Sequence, residues 1–293
     1  MNVEKLLTAD GVAISATFYG DELLPQQRKG AVLVASAMGV AQRFYTDLAA
    51  WLARQGYLVA TFDYRGIGRS RPERLRGFQA DVLSWTKLDC ATMLEAVSAR
   101  AGEGPIYWIG HSLGGQIVAL VPGAEKISRA VIVGSGSGYW RQNATGFRPR
   151  ALVLWYLVAP ISTALCGYFP GKTLRVIGDV PAGVLWQWRR WCLQRQYVLS
   201  EGEWVRERFA RFSAPVVFFS VTDDEYMSAR SIESLASWYT RAPKTLRTFS
   251  PKDLGVPRIG HFGLFRASFQ RLFWEEQLLP LLPPPHSAVA RSY

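Results

Sequence analysis

The chain has 293 residues, 49% of them hydrophobic and 19% charged. That balance excludes disordered, collagen-like and coiled-coil chains and fits one large α/β domain with an insertion, or about two domains. Its 34 Lys+Arg outweigh 23 Asp+Glu for a net charge of +11, which leaves nucleic acid, a membrane surface or an anionic substrate as partners. Three cysteines without a C-x-x-C pair, Cys90, Cys166 and Cys192, exclude a disulfide framework and a cysteine-rich zinc site.

Met1 to Asp10 contain no apolar run of signal-peptide length, so a cytoplasmic location is expected. Glu4–Thr8 and Val12–Phe18 are short β-compatible runs joined by Ala9-Asp10-Gly11, which predicts a hairpin. Ala31–Ala35, Leu58–Phe62, Ile106–Ile109 and Ala130–Val133 are apolar throughout, as strands buried on both faces are. Between them, Phe44, Leu48, Trp51 and Leu52 follow a helical period up to Gly56. Val82, Trp85, Leu88, Met93, Leu94 and Val97 do the same up to Gly102. Strands alternating with helices predict βαβ units and a mostly parallel sheet. The alternation stops after Gly134 and resumes at Pro215–Ser220. A helix over Ala229–Tyr239, a strand over Thr245–Phe249, a loop with His261 and a helix over Leu264–Leu279 follow. The interruption is too long for a loop and predicts an inserted helical cap. The expected division is 1–134 for the first part of the core, 135–213 for the cap, 214–279 for the second part of the core, and 280–293 for an extended, proline-rich tail.

Gly110-His-Ser-Leu-Gly114, followed by Gly115, is a G-x-S-x-G pattern between the strand Ile106–Ile109 and a helical run over Gln116–Leu120. Strand, sharp turn and helix are the context of a nucleophile elbow. Ser112 must then hold a strained backbone at the tip of the turn. The flanking glycines prevent collisions, and a helix N-terminus favours developing negative charge.

With that motif the sequence resembles an α/β-hydrolase over nearly the whole chain outside the cap. Asp63-Tyr-Arg-Gly-Ile-Gly-Arg-Ser70 resembles the D-x-R-G-x-G-x-S loop after the fourth strand. Gly110–Gly115 matches the elbow, and Gly260-His-Phe-Gly263 resembles the glycine-flanked histidine loop. The finer resemblance is to cap-bearing, serine-aminopeptidase-like and esterase-like bacterial hydrolases. It implies a mostly parallel central sheet flanked by helices and a Ser-Asp-His triad.

A serine hydroxyl needs a general base within hydrogen-bond reach. Three histidines exist. His111 adjoins Ser112 on a sharp turn and should point away from it, and His286 lies in the tail. His261 remains, where the family order Ser, Asp, His places it. The acid should follow Pro215–Ser220, where Thr222-Asp223-Asp224-Glu225 stands. Counting nine residues from the leading proline, as the resemblance implies, selects Asp224. Counting from the family glycine, here Ser220, selects Asp223. Asp224 is favoured, with the other Asp expected to cap the loop. The resemblance implies two backbone donors for an oxyanion, Leu113 after the nucleophile and Met38 in Ser36-Ala37-Met38-Gly39. Asp63 and Arg65 are expected to bracket their loop, Asp63 by capping amides and Arg65 by pairing locally.

Residues 135–213 hold eleven cations and four anions, net +7, and six of the 11 tryptophans. Interleaved Arg and Trp suit nucleic acid as well as a lid with aromatics inward and guanidinium groups outward. With a candidate catalytic serine present, the lid is the expectation and nucleic acid is not. Ala151–Phe169 is 19 residues without a charge, long enough to span a bilayer. Interrupted by Pro160, it is read as two apolar helices lining an acyl pocket, with membrane contact through the cap the lesser reading. Arg65, Arg69, Arg71, Arg74 and Arg76 form a second basic cluster.

The expected activity is hydrolysis of a carboxylic ester with an apolar acyl part through an acyl-enzyme, on a small-molecule substrate, without metal or organic cofactor. Acyl-CoA thioesters, with phosphates held by the cap and the second cluster, are the alternative. A non-catalytic ligand-binding protein on the same fold is the other.

Overall fold

The computed structural model describes residues 1–284. Ten strands form: β1 (Asn2–Leu7), β2 (Ala13–Tyr19), β3 (Ala31–Ala35), β4 (Leu58–Phe62), β5 (Ile106–His111), β6 (Ile127–Val133), β7 (Tyr168–Phe169), β8 (Val180–Pro181), β9 (Val216–Val221) and β10 (Lys244–Phe249). Eight of them make one sheet in the order β1-β2-β4-β3-β5-β6-β9-β10. The two-residue strands β7 and β8 pair only with each other. In the large sheet β1 and β2 are antiparallel, as are β2 and β4, and the remaining pairs are parallel; β7 and β8 are antiparallel. This is the α/β-hydrolase fold, mostly parallel with flanking helices.

The strands read as apolar runs because both faces of the sheet are covered. Along β3, Leu33 faces one core and Val32 and Val34 the other; along β9, Phe218 faces the first and Val217 and Phe219 the second. Alternation of side chains across a strand therefore feeds two cores at once. The helices Thr46–Arg54 and Gln270–Leu278 cover the second face. The first is covered by the helical stretch Val82–Ala101 and by elements of 135–213.

Several elements differ from the sequence reading. The expected helix over Gln116–Leu120 is one α turn, Leu113–Gln116, then a 3-10 turn, Val118–Leu120. Two glycines, β-branched Ile117 and Val118, and Pro122-Gly123 leave too little propensity to extend it. Little macrodipole therefore stands behind Ser112. His261 sits in a helical turn, Gly260–Gly263, rather than a loop. The expected pair of helices is one helix over Arg148–Cys166, and it is long and apolar enough by length and composition to cross a membrane. Pro160 is tolerated inside it because Leu154–Val158 widens to a π turn just before the proline, where the missing N–H is absorbed. Ala151, Trp155, Ala159, Ser162 and Thr163 form its buried stripe, and Val153, Tyr156, Leu157, Ile161 and Leu165 its exposed one.

Residues 280–284 are not a free extended tail. Leu279–Leu281 make a 3-10 turn, and Arg129 Nη1 donates to the Leu281 carbonyl at 2.6 Å. The Tyr57 and Tyr107 hydroxyls donate to the carbonyls of Leu282 and Pro283. Residues 285–293 of the expected tail, His286 included, lie outside the described residues.

Candidate active site

Ser112 directly follows β5 with φ 51 and ψ −113, a positive φ rare for a side-chain-bearing residue. The turn around it leaves no room for Cβ atoms. One at Gly114 would stand 2.1 Å from the Ala35 carbonyl oxygen, and one at Gly110 would stand 2.6 Å from backbone atoms of Gly114 and Gly115. The strain is held by the sheet: Ser112 N–H donates to Val133 O at 2.9 Å, and Ser135 Oγ donates to Ser112 O at 2.7 Å.

The three acids after β9 each take a separate partner. Asp224 Oδ2 lies 2.8 Å from His261 Nδ1, and both side chains are almost fully buried. Its Oδ1 accepts from the amides of Tyr226 and Met227. A carboxylate held on both oxygens fixes the ring and favours the Nδ1–H tautomer, which turns Nε2 outward. Asp223 Oδ2 instead accepts from the Ile259 and Gly260 amides at 2.8 and 3.1 Å. Glu225 accepts from the His261 amide at 2.9 Å and pairs with Arg258. Partial burial pushes the Glu225 carboxyl up, but the His261 amide and Arg258 outweigh it and hold it below the usual range.

A second network, absent from the sequence reading, lies behind the site. Ala37 N–H donates to Tyr45 Oη at 2.9 Å, Tyr45 Oη lies 2.8 Å from His111 Nδ1, and His111 Nε2 lies 3.0 Å from the His261 carbonyl oxygen. A carbonyl only accepts, so His111 carries its proton on Nε2 and Tyr45 donates to Nδ1. Complete burial, and secondarily His261, push the His111 pKa well below its ordinary value, so the ring is neutral. The chain of bonds ties the segment carrying Ala37 and Met38 to the backbone of His261. Tyr45 lies 66 positions from His111, so no local pattern announces the contact.

Ser112, His261, Met38 and Leu113 meet in one cavity of about 80 Å³. Its wall is largely apolar, with Phe169, Leu185, Trp155 and Trp188 from residues 135–213, and its polar part includes Gln116 and Asn143. Gln116 is held by Tyr197 Oη and by the Gly136 carbonyl. Met38 is followed by Gly39, which abuts Gly178: a Cβ at Gly178 would stand 2.1 Å from the Gly39 carbonyl oxygen. Among the described residues no three His, Cys, Asp or Glu side chains cluster as metal ligands would.

The Asp63–Ser70 loop is braced as expected at Asp63, which accepts from the amides of Gln42 and Arg69 and from the Gln42 side chain. Arg65 does not pair locally. It reaches Asp89 at 2.7 Å and Asp10 at 2.5 Å, 24 and 55 positions away, because a buried guanidinium needs both its faces satisfied. Burial pushes the Asp89 carboxyl up to about 6 against the pull of Arg65, whereas Arg65 holds the more exposed Asp10 well below the usual range.

The family model described as serine aminopeptidase, S33, matches residues 26–166, just under half of the chain. That stretch includes Met38 and Ser112 and stops before Asp224 and His261. No curated protein matches the sequence. Among solved structures, a soluble variant of monoglyceride lipase from Saccharomyces cerevisiae, in complex with a substrate analogue, superposes with a TM-score of 0.63 at 19% identity. It covers 97% of this chain and 96% of its own. An esterase of Pyrococcus furiosus gives 0.58 at 14%, covering 96% and 87%. The thioesterase domain from the curacin biosynthetic pathway gives 0.54 at 16%, covering 93% and 98%. Sheet order, strand register and these likenesses agree, and the chain has the α/β-hydrolase fold.

Proposed function

We propose that this protein is a serine hydrolase cleaving a carboxylic ester with an apolar acyl part through an acyl-enzyme. The observation that carries the reading is His261, held by Asp224 at Nδ1 and lining the same small cavity as the strained Ser112. Ser112 Oγ attacks the ester carbonyl while His261 Nε2 takes its proton. The amides of Met38 and Leu113 receive the oxyanion, the leaving-group oxygen takes the proton back from His261, and water repeats the cycle on the acyl-enzyme. The apolar wall from residues 135–213 acts as a cap around the acyl chain, where each buried methylene is worth about 0.8 kcal/mol.

The same machinery opens thioesters, but the second basic cluster gives that alternative little support. Arg65 is buried in its own ion pairs, and Arg71 is bound to Asp179 at 2.6 Å. Labelling by a fluorophosphonate probe, lost in Ser112→Ala, together with turnover of p-nitrophenyl esters, tests the proposal. A wild-type protein that takes no label and hydrolyses no ester is a binding protein instead.

A further inference from the structure

The cavity holding Ser112 and His261 shares Phe147, Leu154, Val176, Tyr226 and Phe262 with a much larger vestibule of about 1020 Å³. Both are largely apolar, but the vestibule lining adds three arginines, Arg150, Arg175 and Arg258, where the inner cavity has none.

Its carboxylates are already committed. Asp224 holds His261, and Glu225 holds Arg258 and the His261 amide. Arg150 and Arg175 make no ion pair among the described residues. The Tyr226 phenol reports where the charges face: burial raises its pKa, Glu225 and Asp224 raise it further, and Arg150 and Arg258 pull it back. Arg175 keeps a long cation in the left-handed conformation (φ 54, ψ 35) that ends the helix Gly171–Leu174, a place where glycine is the ordinary residue.

The two spaces meet beside His261. Tyr226 and Phe262 pack edge-on against His261, with ring centroids 5.0 and 5.1 Å away, and both line the vestibule. Ser112 and His261 line the inner cavity and not the vestibule, so with the acyl chain in that apolar space the other half of the substrate extends past these rings into the vestibule.

Resting on the acyl-enzyme reading above, we infer that the vestibule binds the leaving-group half of the substrate and that this half carries a phosphate, held by Arg150 and Arg175. The acyl half occupies the inner cavity. A glycerol phosphate ester and a CoA thioester both supply that anion, and matched pairs separate the two sources. In each pair only the phosphate differs: butanoyl glycerol against butanoyl glycerol phosphate, and butanoyl pantetheine against butanoyl 4′-phosphopantetheine, the arm of CoA that carries its first phosphate.

The phosphorylated member of at least one pair is expected to win in kcat/KM by about tenfold or more at low salt, chiefly through KM, since charge-assisted bonds to phosphate are strong and exposed ones are screened by salt. The pair that shows the preference names the leaving group. In the double variant Arg150→Gln/Arg175→Gln the ratio should fall toward one, and Lys at both positions should restore part of it. Arg211→Gln, outside the vestibule, should leave the ratio where it was. A ratio near one in both pairs, or a ratio that the double substitution does not move, overturns the inference while ester turnover keeps the hydrolase reading intact. If none of the four compounds turns over, the hydrolase reading fails for these acyl groups. Calorimetry on Ser112→Ala then decides the subsite separately: equal affinity within each pair overturns it, and about tenfold tighter binding of a phosphorylated member, lost in the double Gln variant, upholds it.

Discussion

His111 and His261 stand with ring centroids 5.0 Å apart, yet their surroundings have made them different groups. His111 is packed among Phe44, Phe262 and Phe265, with a phenol on one nitrogen and a carbonyl on the other. Burial penalises a positive charge there, and the carbonyl's pull toward one is too weak to offset it. His261 has a carboxylate on Nδ1 and an open cavity before it. An imidazolium formed there during catalysis is compensated, whereas one formed at His111 is not. Both rings are buried, so the difference between them is whether a carboxylate stands at the second nitrogen to compensate the charge that burial penalises.

The sharpest way to break that contrast is to remove the working pair. Ser112→Ala and His261→Gln should each lower kcat by about 10⁴–10⁶, and the double variant should be hardly worse than either alone. Additive losses in steady-state kinetics would mean that the two do not act together. Next, Asp224→Asn keeps the shape at Nδ1 but favours the wrong tautomer, so kcat should drop by about 10⁴. Asp223→Asn exchanges the charged acceptor of the Ile259 and Gly260 amides for a neutral one and should cost some stability rather than turnover. If Asp223→Asn is the inactive one, the contact at 2.8 Å is not the catalytic one.

The structural histidine answers in a smaller currency. Tyr45→Phe leaves the Ala37 amide and His111 Nδ1 without their partner, at about 1–3 kcal/mol for each buried group. Because Ala37 precedes Met38, kcat should also fall, by at most about 10²-fold. A Tyr45→Phe enzyme with unchanged melting and unchanged kcat would show that the relay positions nothing. The smallest effect concerns pH. The folded His111 pKa lies well below the ordinary 6.5. Between those values the unfolded chain binds a proton that the folded chain refuses. Stability present above pH 6.5 is therefore lost as pH falls, by up to about 1.4 kcal/mol per unit. Urea unfolding at pH 7.5, 6.5 and 5.5 should show a shallower loss for His111→Gln than for wild type, and parallel slopes would remove this assignment.

What the residues announce in advance, and what they hide, follows the range of the interactions. The inner strands β3, β4, β5, β6 and β9 are visible because burial on both faces makes each a short apolar run, and the elbow is visible because its glycines and serine are nearly consecutive. Asp224 and Asp223 were separable only by a register count, since both follow β9 and only the turn after it decides which carboxylate faces His261. The Tyr45–His111 relay and the Arg65–Asp89–Asp10 bridge join positions 66, 24 and 55 apart, and no spacing rule reaches that far. The helix over Arg148–Cys166 looks like two in the sequence because a proline ordinarily stops a helix, and a widened turn ahead of Pro160 lets this one continue.

Gly178 and Gly39 meet with only backbone between them, and Gly66 packs against the rigid ring of Pro181, 2.4 Å from where a Cβ would stand. Side-chain contacts can be re-sorted when one partner is exchanged, because rotamers adjust; a main-chain contact has no such play. Residues 135–213 therefore do not behave as a freely transferable module. A graft taken from another protein of the same fold would fit this sheet only if it brought a glycine to the place of Gly178. Without one, the first part to be displaced would be the segment that carries Met38.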